Sequence, residues 1–236
     1  MDASLFGLSS DIQFECLNVG AEAEPLLLVD SLFTGADALK KYAVQAGHFP
    51  IVENYYPGLR MAVPMLYSVA LLKNLAPIIE RHFDCELAKI KNIASRFSIV
   101  TTPPGELSLL QRIPHIDAPS RSSLAVVHYL ADRPDAGTAL YRHKASGFEY
   151  IDSARYEGYM ATIAKQFPNP SIYPQGYICG DTEEFEVIAS FEAKFNRMIM
   201  YRASSLHSGI IKPDYNFDPN PATGRLTVTT FVEFKS

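Results

Sequence analysis

From Ile93 to the C-terminus the chain is punctuated like a sheet protein. Short runs rich in β-branched and aromatic residues alternate with clusters of Pro, Gly, Asp and Ser. The runs fall at 97–101, 107–113, 124–130 and 138–142. Between them stand Pro103-Pro104-Gly105, Ala118-Pro119-Ser120 and Arg133-Pro134-Asp135-Ala136-Gly137. Breakers at that spacing leave no room for long helices, whereas a strand needs only about four to eight residues between turns. Strands are expected again at 186–191, 197–201 and 225–233, with one helical stretch at 153–166. The pattern predicts a mainly antiparallel sandwich or barrel carrying one helical excursion.

The first third reads differently. Residues 36–46 have a helical pattern, and a second helix is expected from about Pro64, a residue suited to a first helical turn. Leu72, Leu75, Ala76, Ile79 and Phe83 form its apolar stripe, and Pro77 inside that stripe predicts a kink or a restart. These helices are expected to brace a sheet. No repeat or flexible linker divides the chain, so one domain is expected over residues 1–236, with 1–92 as helical and mixed support and 93–236 as the core.

Composition removes several classes of function. With 21 Lys and Arg against 26 Asp and Glu, the net charge of −5 does not suit a protein that grips phosphate backbones, and no basic cluster makes a local exception. The longest apolar stretches, such as 65–72 and 124–127, fall far short of the roughly 20 residues that span a bilayer. Neither nucleic acid nor membrane is expected as a partner. Cys16, Cys85 and Cys179 are widely spaced and odd in number, which suggests neither a disulfide framework nor a thiolate site and suits a reducing cytoplasm.

The chemistry-bearing residues are His115-Ile116-Asp117, placed just after the strand expected at 107–113. In extended backbone, residues i and i+2 project from the same face, so an imidazole and a carboxylate can point together. His207, which ends the turn 203–206 after the strand at 197–201, can supply a third ligand. Two His and one Asp fill one face of an octahedral iron(II) and leave three positions open, enough for a 2-oxo acid and dioxygen. Arg225 opens the strand that follows and offers a planar fork for a carboxylate.

Taken together, residues 93–234 resemble the prolyl 4-hydroxylase-like branch of the 2-oxoglutarate, iron(II)-dependent dioxygenases. Four segments carry the resemblance in order: His115-Ile116-Asp117; the strands 124–130 and 135–141 with their acidic, Gly-containing turn; Arg197 to Tyr201 followed by Leu206-His207-Ser208-Gly209; and Gly224-Arg225-Leu226-Thr227-Val228. The resemblance implies a double-stranded β-helix, the jelly-roll barrel shared with cupins. It implies His115, Asp117 and His207 as iron ligands and Arg225 as partner of the 2-oxoglutarate C5 carboxylate. It also places Tyr129 where some relatives have a tyrosine on that carboxylate. The implied activity is oxygenation, by default hydroxylation, with Fe(II), 2-oxoglutarate and O2.

Two departures bear on this. The interval from His207 to Arg225 is longer than the family's usual one, and the extra length is the Pro/Asp/Asn-rich run 212–224, expected as a long hairpin loop; otherwise Lys212 or Arg202 becomes a rival carboxylate partner. Near Pro103-Pro104-Gly105 many relatives carry a tyrosine on the co-substrate; here that contact is either missing or supplied by another residue such as Gln111. His128, next to Tyr129, should face the opposite side of its strand, and neither it nor His143 on the next strand has a carboxylate at ligand spacing; His48 and His82 are expected in packing or surface roles. The pocket should be lined by 55–58, 118–123 and 153–177, for an amino acid, a peptide or a small metabolite. Competing readings are a metal-binding jelly-roll without catalysis and a cupin-type isomerase or hydrolase, for which Arg225 would be dispensable.

Overall fold

The computed structural model describes residues 2–47, 49–50, 55–169, 173 and 175–235; His48 and residues 170–172 and 174 of the insertion lie outside them. Two antiparallel sheets form the frame. The larger has β1 (Gln13–Val19), β2 (Glu24–Asp30), β8 (Met198–Arg202), β5 (Ser123–Tyr129), β10 (Leu226–Phe234), β4 (Ile90–Val100) and β3 (Gly58–Ala62) side by side in that order. The smaller has β7 (Phe185–Ala193), β6 (Arg133–His143) and β9 (His207–Ile211).

Strict alternation along the central strands explains why two faces are buried at once. On β10, Leu226, Val228, Val232 and Phe234 join the cluster formed with helices α1 (Ala36–Ala46) and α2 (Met65–Phe83), while Thr227, Thr229 and Phe231 point the other way. On β5 and β8, Leu124, Val126, Met198 and Met200 face the helices. Ala125, Val127, Tyr129, Ile199 and Tyr201 face the smaller sheet and meet Leu140, Phe191 and Ala193. Each fully buried Leu or Val is worth about 1.5–3 kcal/mol, so slipping one strand by one residue would invert its burial and forfeit several such terms.

The helices at 36–46 and from Pro64 form as expected, and the insertion helix α4 runs over Tyr156–Gln166. α2 continues through Pro77 without a restart: Pro77 and Lys73, whose carbonyl loses its helical hydrogen bond, are both exposed, so the break falls on the solvent side while Leu72, Leu75, Ile79 and Phe83 stay in the core. Among the described residues no helix is long and apolar enough to cross a membrane.

Four expectations need correction. The run 107–113 is no strand but a single helical turn, α3 (Leu109–Arg112), closed by a capping box in which Ser108 and Gln111 satisfy each other's ends. The turn expected at 133–137 belongs to β6, whose pairing with β7 shifts register between Arg133 and Gly137, a bulge that accommodates Pro134. The first 92 residues do more than brace, since β1, β2 and β3 extend the larger sheet on both sides. Residues 212–224 are not a hairpin loop: they cross from β9 in one sheet to β10 in the other, burying Tyr215 on the way.

Candidate active site

His115 and Asp117 leave α3 on backbone that is stitched to the start of β9 and to the preceding turn. The His115 N–H donates to the His207 carbonyl and the His207 N–H returns to His115, both at 2.9 Å. The Asp117 N–H donates to the Ala203 carbonyl at 2.9 Å. This bridge makes the local backbone extended, as the spacing of the two residues requires, although the element before it is helical. The turn that delivers His207 is itself held inside the protein, with Ser204 and Ser205 fully buried.

His115, Asp117 and His207 each present one ligand atom, and these atoms all lie within 4.8 Å of one another. Nε2 of His207 stands 3.4 Å from Oδ2 of Asp117, and the two imidazole centroids are 4.4 Å apart. Three ligands on one octahedral face, each about 2.1 Å from the ion, are separated by about 3 Å, so small side-chain rotations would close the set on a metal. The His207 Nδ1–H donates to the Ser205 carbonyl at 3.0 Å, which leaves the Nε2 lone pair facing the cluster.

Electrostatics favour the metal-ready protonation states for the imidazoles. Burial pushes the His115 pKa down to about 4, aided by the neighbouring charge of His207, and burial pushes His207 down to about 4. Both are therefore neutral near pH 7. Burial raises the Asp117 carboxyl to about 6, while His115 and Arg60 oppose that rise. The Asp117 side chain keeps 19% of its surface open, so solvent limits the rise further.

The three residues line a cavity of about 610 Å³, within the usual range for small-molecule sites. Arg225 lines it too. Its Nη2 donates to the Gly137 carbonyl at 2.8 Å, and its backbone N–H donates to the Tyr215 hydroxyl that the crossover loop brings in. Its Nε is buried and has no hydrogen-bond partner among the described residues. The walls include Tyr55, Tyr56, Ala118, Pro119, Tyr156 and Tyr177, drawn from the three segments expected to line the pocket.

The profile of the family described as "Family of unknown function (DUF6445)" matches residues 10–232. The chain belongs to this family. No curated protein matches it. Among solved structures, it is similar to the non-heme alpha ketoglutarate dependent carbocyclase SnoK from nogalamycin biosynthesis, at 12% identity and a TM-score of 0.50, over 92% of this chain and 85% of that one. It is also similar to a Pseudomonas putida prolyl-4-hydroxylase (11% identity, TM-score 0.45, 95% and 93% covered). A third is HygX from Streptomyces hygroscopicus, solved with nickel and 2-oxoglutarate bound (10% identity, TM-score 0.48, 92% and 84% covered). The likeness to SnoK establishes the fold of this DUF6445 member as a mainly β jelly-roll.

Other residues named from the sequence fall in different places in the DUF6445 chain. The Tyr129 hydroxyl donates to Thr138 Oγ1 at 2.7 Å, and its ring lies 5.6 Å from the Arg225 guanidinium; Thr138 lines the cavity, and Tyr129 stands behind it. Gln111 reaches the cavity, but its amide is committed to the Tyr55 carbonyl and to Ser108. Arg202 turns to the Arg121 and Phe83 carbonyls and Lys212 is exposed, both away from the cavity lining. His128 faces away from Tyr129 as expected, bonded to Tyr67 and Asn196, and His143 packs between Ser146 and Gln166.

The charged cavity residue that escaped the sequence reading is Arg60. Arg60 of β3 lines the cavity beside Tyr56, whose ring its guanidinium covers at 5.0 Å. Burial raises the Tyr56 pKa, while the charges of Arg225 and Arg60 draw it back. β3 is only five residues long and isolated in sequence, so alternation alone gives no signal for it. Gly58 was its one clue: a Cβ there would lie 2.0 Å from the Ile99 carbonyl, a close approach that only glycine allows.

Proposed function

We propose that this protein is a 2-oxoglutarate-dependent iron(II) oxygenase that hydroxylates an amino acid, a peptide or a small metabolite, acting as a single domain. The observation that carries the reading is one cavity shared by a His-Asp-His cluster and a buried arginine whose Nε has no hydrogen-bond partner among the described residues. A shared fold does not set an activity, so the weight rests on these side chains.

In this reading His115, Asp117 and His207 hold the iron. Bound iron(II) with 2-oxoglutarate supplies the oxidising chemistry, in which the 2-oxo acid is decarboxylated to succinate and a substrate C–H bond is oxygenated by O2. Arg225 binds the far carboxylate of the co-substrate and so fixes its orientation. Tyr129 acts at one remove, keeping Thr138 and the Arg225 guanidinium in place, and Tyr56 stands closest to the role of the tyrosine missing near Pro103. The Ser205 carbonyl holds His207 in the tautomer that presents Nε2.

The test is anaerobic titration of the iron(II)-loaded protein with 2-oxoglutarate, followed by visible charge-transfer absorption. A band that forms in the wild type and is absent from His207→Ala supports the reading. Iron binding without any band would instead favour the metal-binding jelly-roll or the isomerase.

A further inference from the structure

The cavity contains a second arginine that neither the metal cluster nor the co-substrate employs in the reading above. Arg60 Nε donates to Ser98 Oγ at 3.2 Å and Nη2 donates to Thr229 Oγ1 at 2.6 Å. Both partners are neutral hydroxyls, and among the described residues no carboxylate lies within 4 Å of the guanidinium. The arginines that are held in ion pairs here (Arg121, Arg133, Arg142, Arg155 and Arg197) each meet a carboxylate at 2.7 Å or less. A half-buried positive charge that faces a cavity without a counter-ion is costly unless an anion arrives to meet it.

Arg60 is also placed differently from Arg225. Arg225 is fixed to the Gly137 carbonyl of the smaller sheet, whereas Arg60 is fixed to Ser98 and Thr229 of the larger one, with the Tyr56 ring beside it. Arg60, Arg225 and Asp117 line the same cavity, so a ligand held by Arg60 shares that space with the metal cluster and the co-substrate. The cavity that Arg60 lines also has apolar walls, including Leu110, Ile113, Ile116, Met160 and Phe231.

We infer that the substrate of this cavity is an organic carboxylate with an apolar body, its carboxylate bound by Arg60 while Arg225 holds the co-substrate. The inference rests on the oxygenase reading and names the substrate class within it. Two hydroxyl anchors preset the guanidinium fork, so little side-chain freedom is lost when the acid binds.

Calorimetric titration of Ni(II)-loaded protein, with and without saturating 2-oxoglutarate, tests this with benzoate, phenylacetate, 3-phenylpropionate and octanoate, each beside its neutral amide. At least one acid should bind on the order of tenfold more tightly than its amide, the difference expected for a charge-assisted bond. Arg60→Gln should abolish that preference, Arg60→Lys should keep part of it, and 2-oxoglutarate affinity in Arg60→Gln should stay within about twofold of the wild type. The inference is overturned if no acid is preferred over its amide by the wild type, a result that needs no variant to fold. It is equally overturned if the preference survives Arg60→Gln or if that variant loses 2-oxoglutarate. Wild-type protein that binds no 2-oxoglutarate would overturn the oxygenase reading instead, and the acid preference is then scored on the Ni(II)-loaded protein alone.

Discussion

His207 Nε2 and Asp117 Oδ2 stand 3.4 Å apart, although one residue opens β9 and the other lies in the loop between α3 and β5. Backbone hydrogen bonds set this approach: the reciprocal pair between His115 and His207, and the Asp117 N–H on Ala203. The side chains are thus brought together by sheet-like pairing of main chain.

Removing either side chain should therefore weaken metal binding sharply without unfolding the protein. Asp117→Ala and His207→Ala are expected to weaken Ni(II) or Fe(II) binding by more than the roughly 10–100-fold seen when only an outer-shell partner is lost. Metal content after dialysis, with thermal melting as a fold control, checks this. A variant that retains stoichiometric metal would remove that residue from the ligand set.

Metal affinity should begin to fall as the pH drops through about 6. Binding requires a carboxylate at Asp117 and neutral imidazoles at His115 and His207. The Asp117 carboxyl, raised to about 6, takes up a proton first; the imidazoles, lowered to about 4, compete only in more acid solution. Between those values affinity should drop by about tenfold per pH unit, with about one proton released per metal bound. Calorimetry in buffers of different ionisation enthalpy counts that proton, and two protons released near pH 5 would contradict the order of titration.

The anchoring of Arg225 separates direct from indirect contributions to co-substrate binding. If 2-oxoglutarate binds as proposed, Arg225→Gln should weaken it by about 2 kcal/mol or more, since the variant would remove the charged partner of its far carboxylate. Tyr129→Phe, which removes the bond to Thr138, should cost about 1 kcal/mol of stability and change co-substrate affinity much less. Gly137→Ala should be the most destabilising of the three, because a Cβ there would lie 2.3 Å from the Phe191 carbonyl and must displace the strand that carries the Arg225 anchor. Denaturant melts and 2-oxoglutarate titrations of the three variants give the ranking.

The parts of this architecture that were legible in the sequence are those written in local periodicity. Alternation at 124–130 and 225–233 located β5 and β10 within a residue or two, and the stripe ending at Phe83 located α2. The signal failed where a local motif outweighed residue type. Ser108 and Gln111 close a capping box that makes 109–112 helical despite its leucines, and pairing across the bulge at Gly137 keeps Arg133-Pro134-Asp135 in a strand despite its turn-like composition. The His115, Asp117 and His207 cluster could be anticipated because two of its members are neighbours in sequence. Arg60 could not, because it reaches the cavity only through the non-local pairing of β3 with β4.

The acid sensitivity of the fold should trace in part to a histidine remote from the cavity. His128 is completely buried between the sheet and α2, and the network around it fixes its tautomer. The Asn196 amide donates to the Phe33 carbonyl and its oxygen accepts from the Phe33 N–H, so that oxygen can take a hydrogen only from His128 Nε2, and Nδ1 must accept from the Tyr67 hydroxyl. Burial pushes the His128 pKa down from 6.5 to about 4. The folded state thus binds the proton less readily than the unfolded one, so the stability due to neutral His128 is complete above about pH 6.5 and is lost as the pH falls from there through about 4. The shift corresponds to about 3 kcal/mol. Denaturant melts of the wild type and His128→Gln from pH 7.5 to 4 should show the wild-type advantage shrinking by about that amount, because the other titrating groups are common to both proteins. A gap between the two that stays constant across the range would mean that His128 is not the group whose protonation weakens the fold.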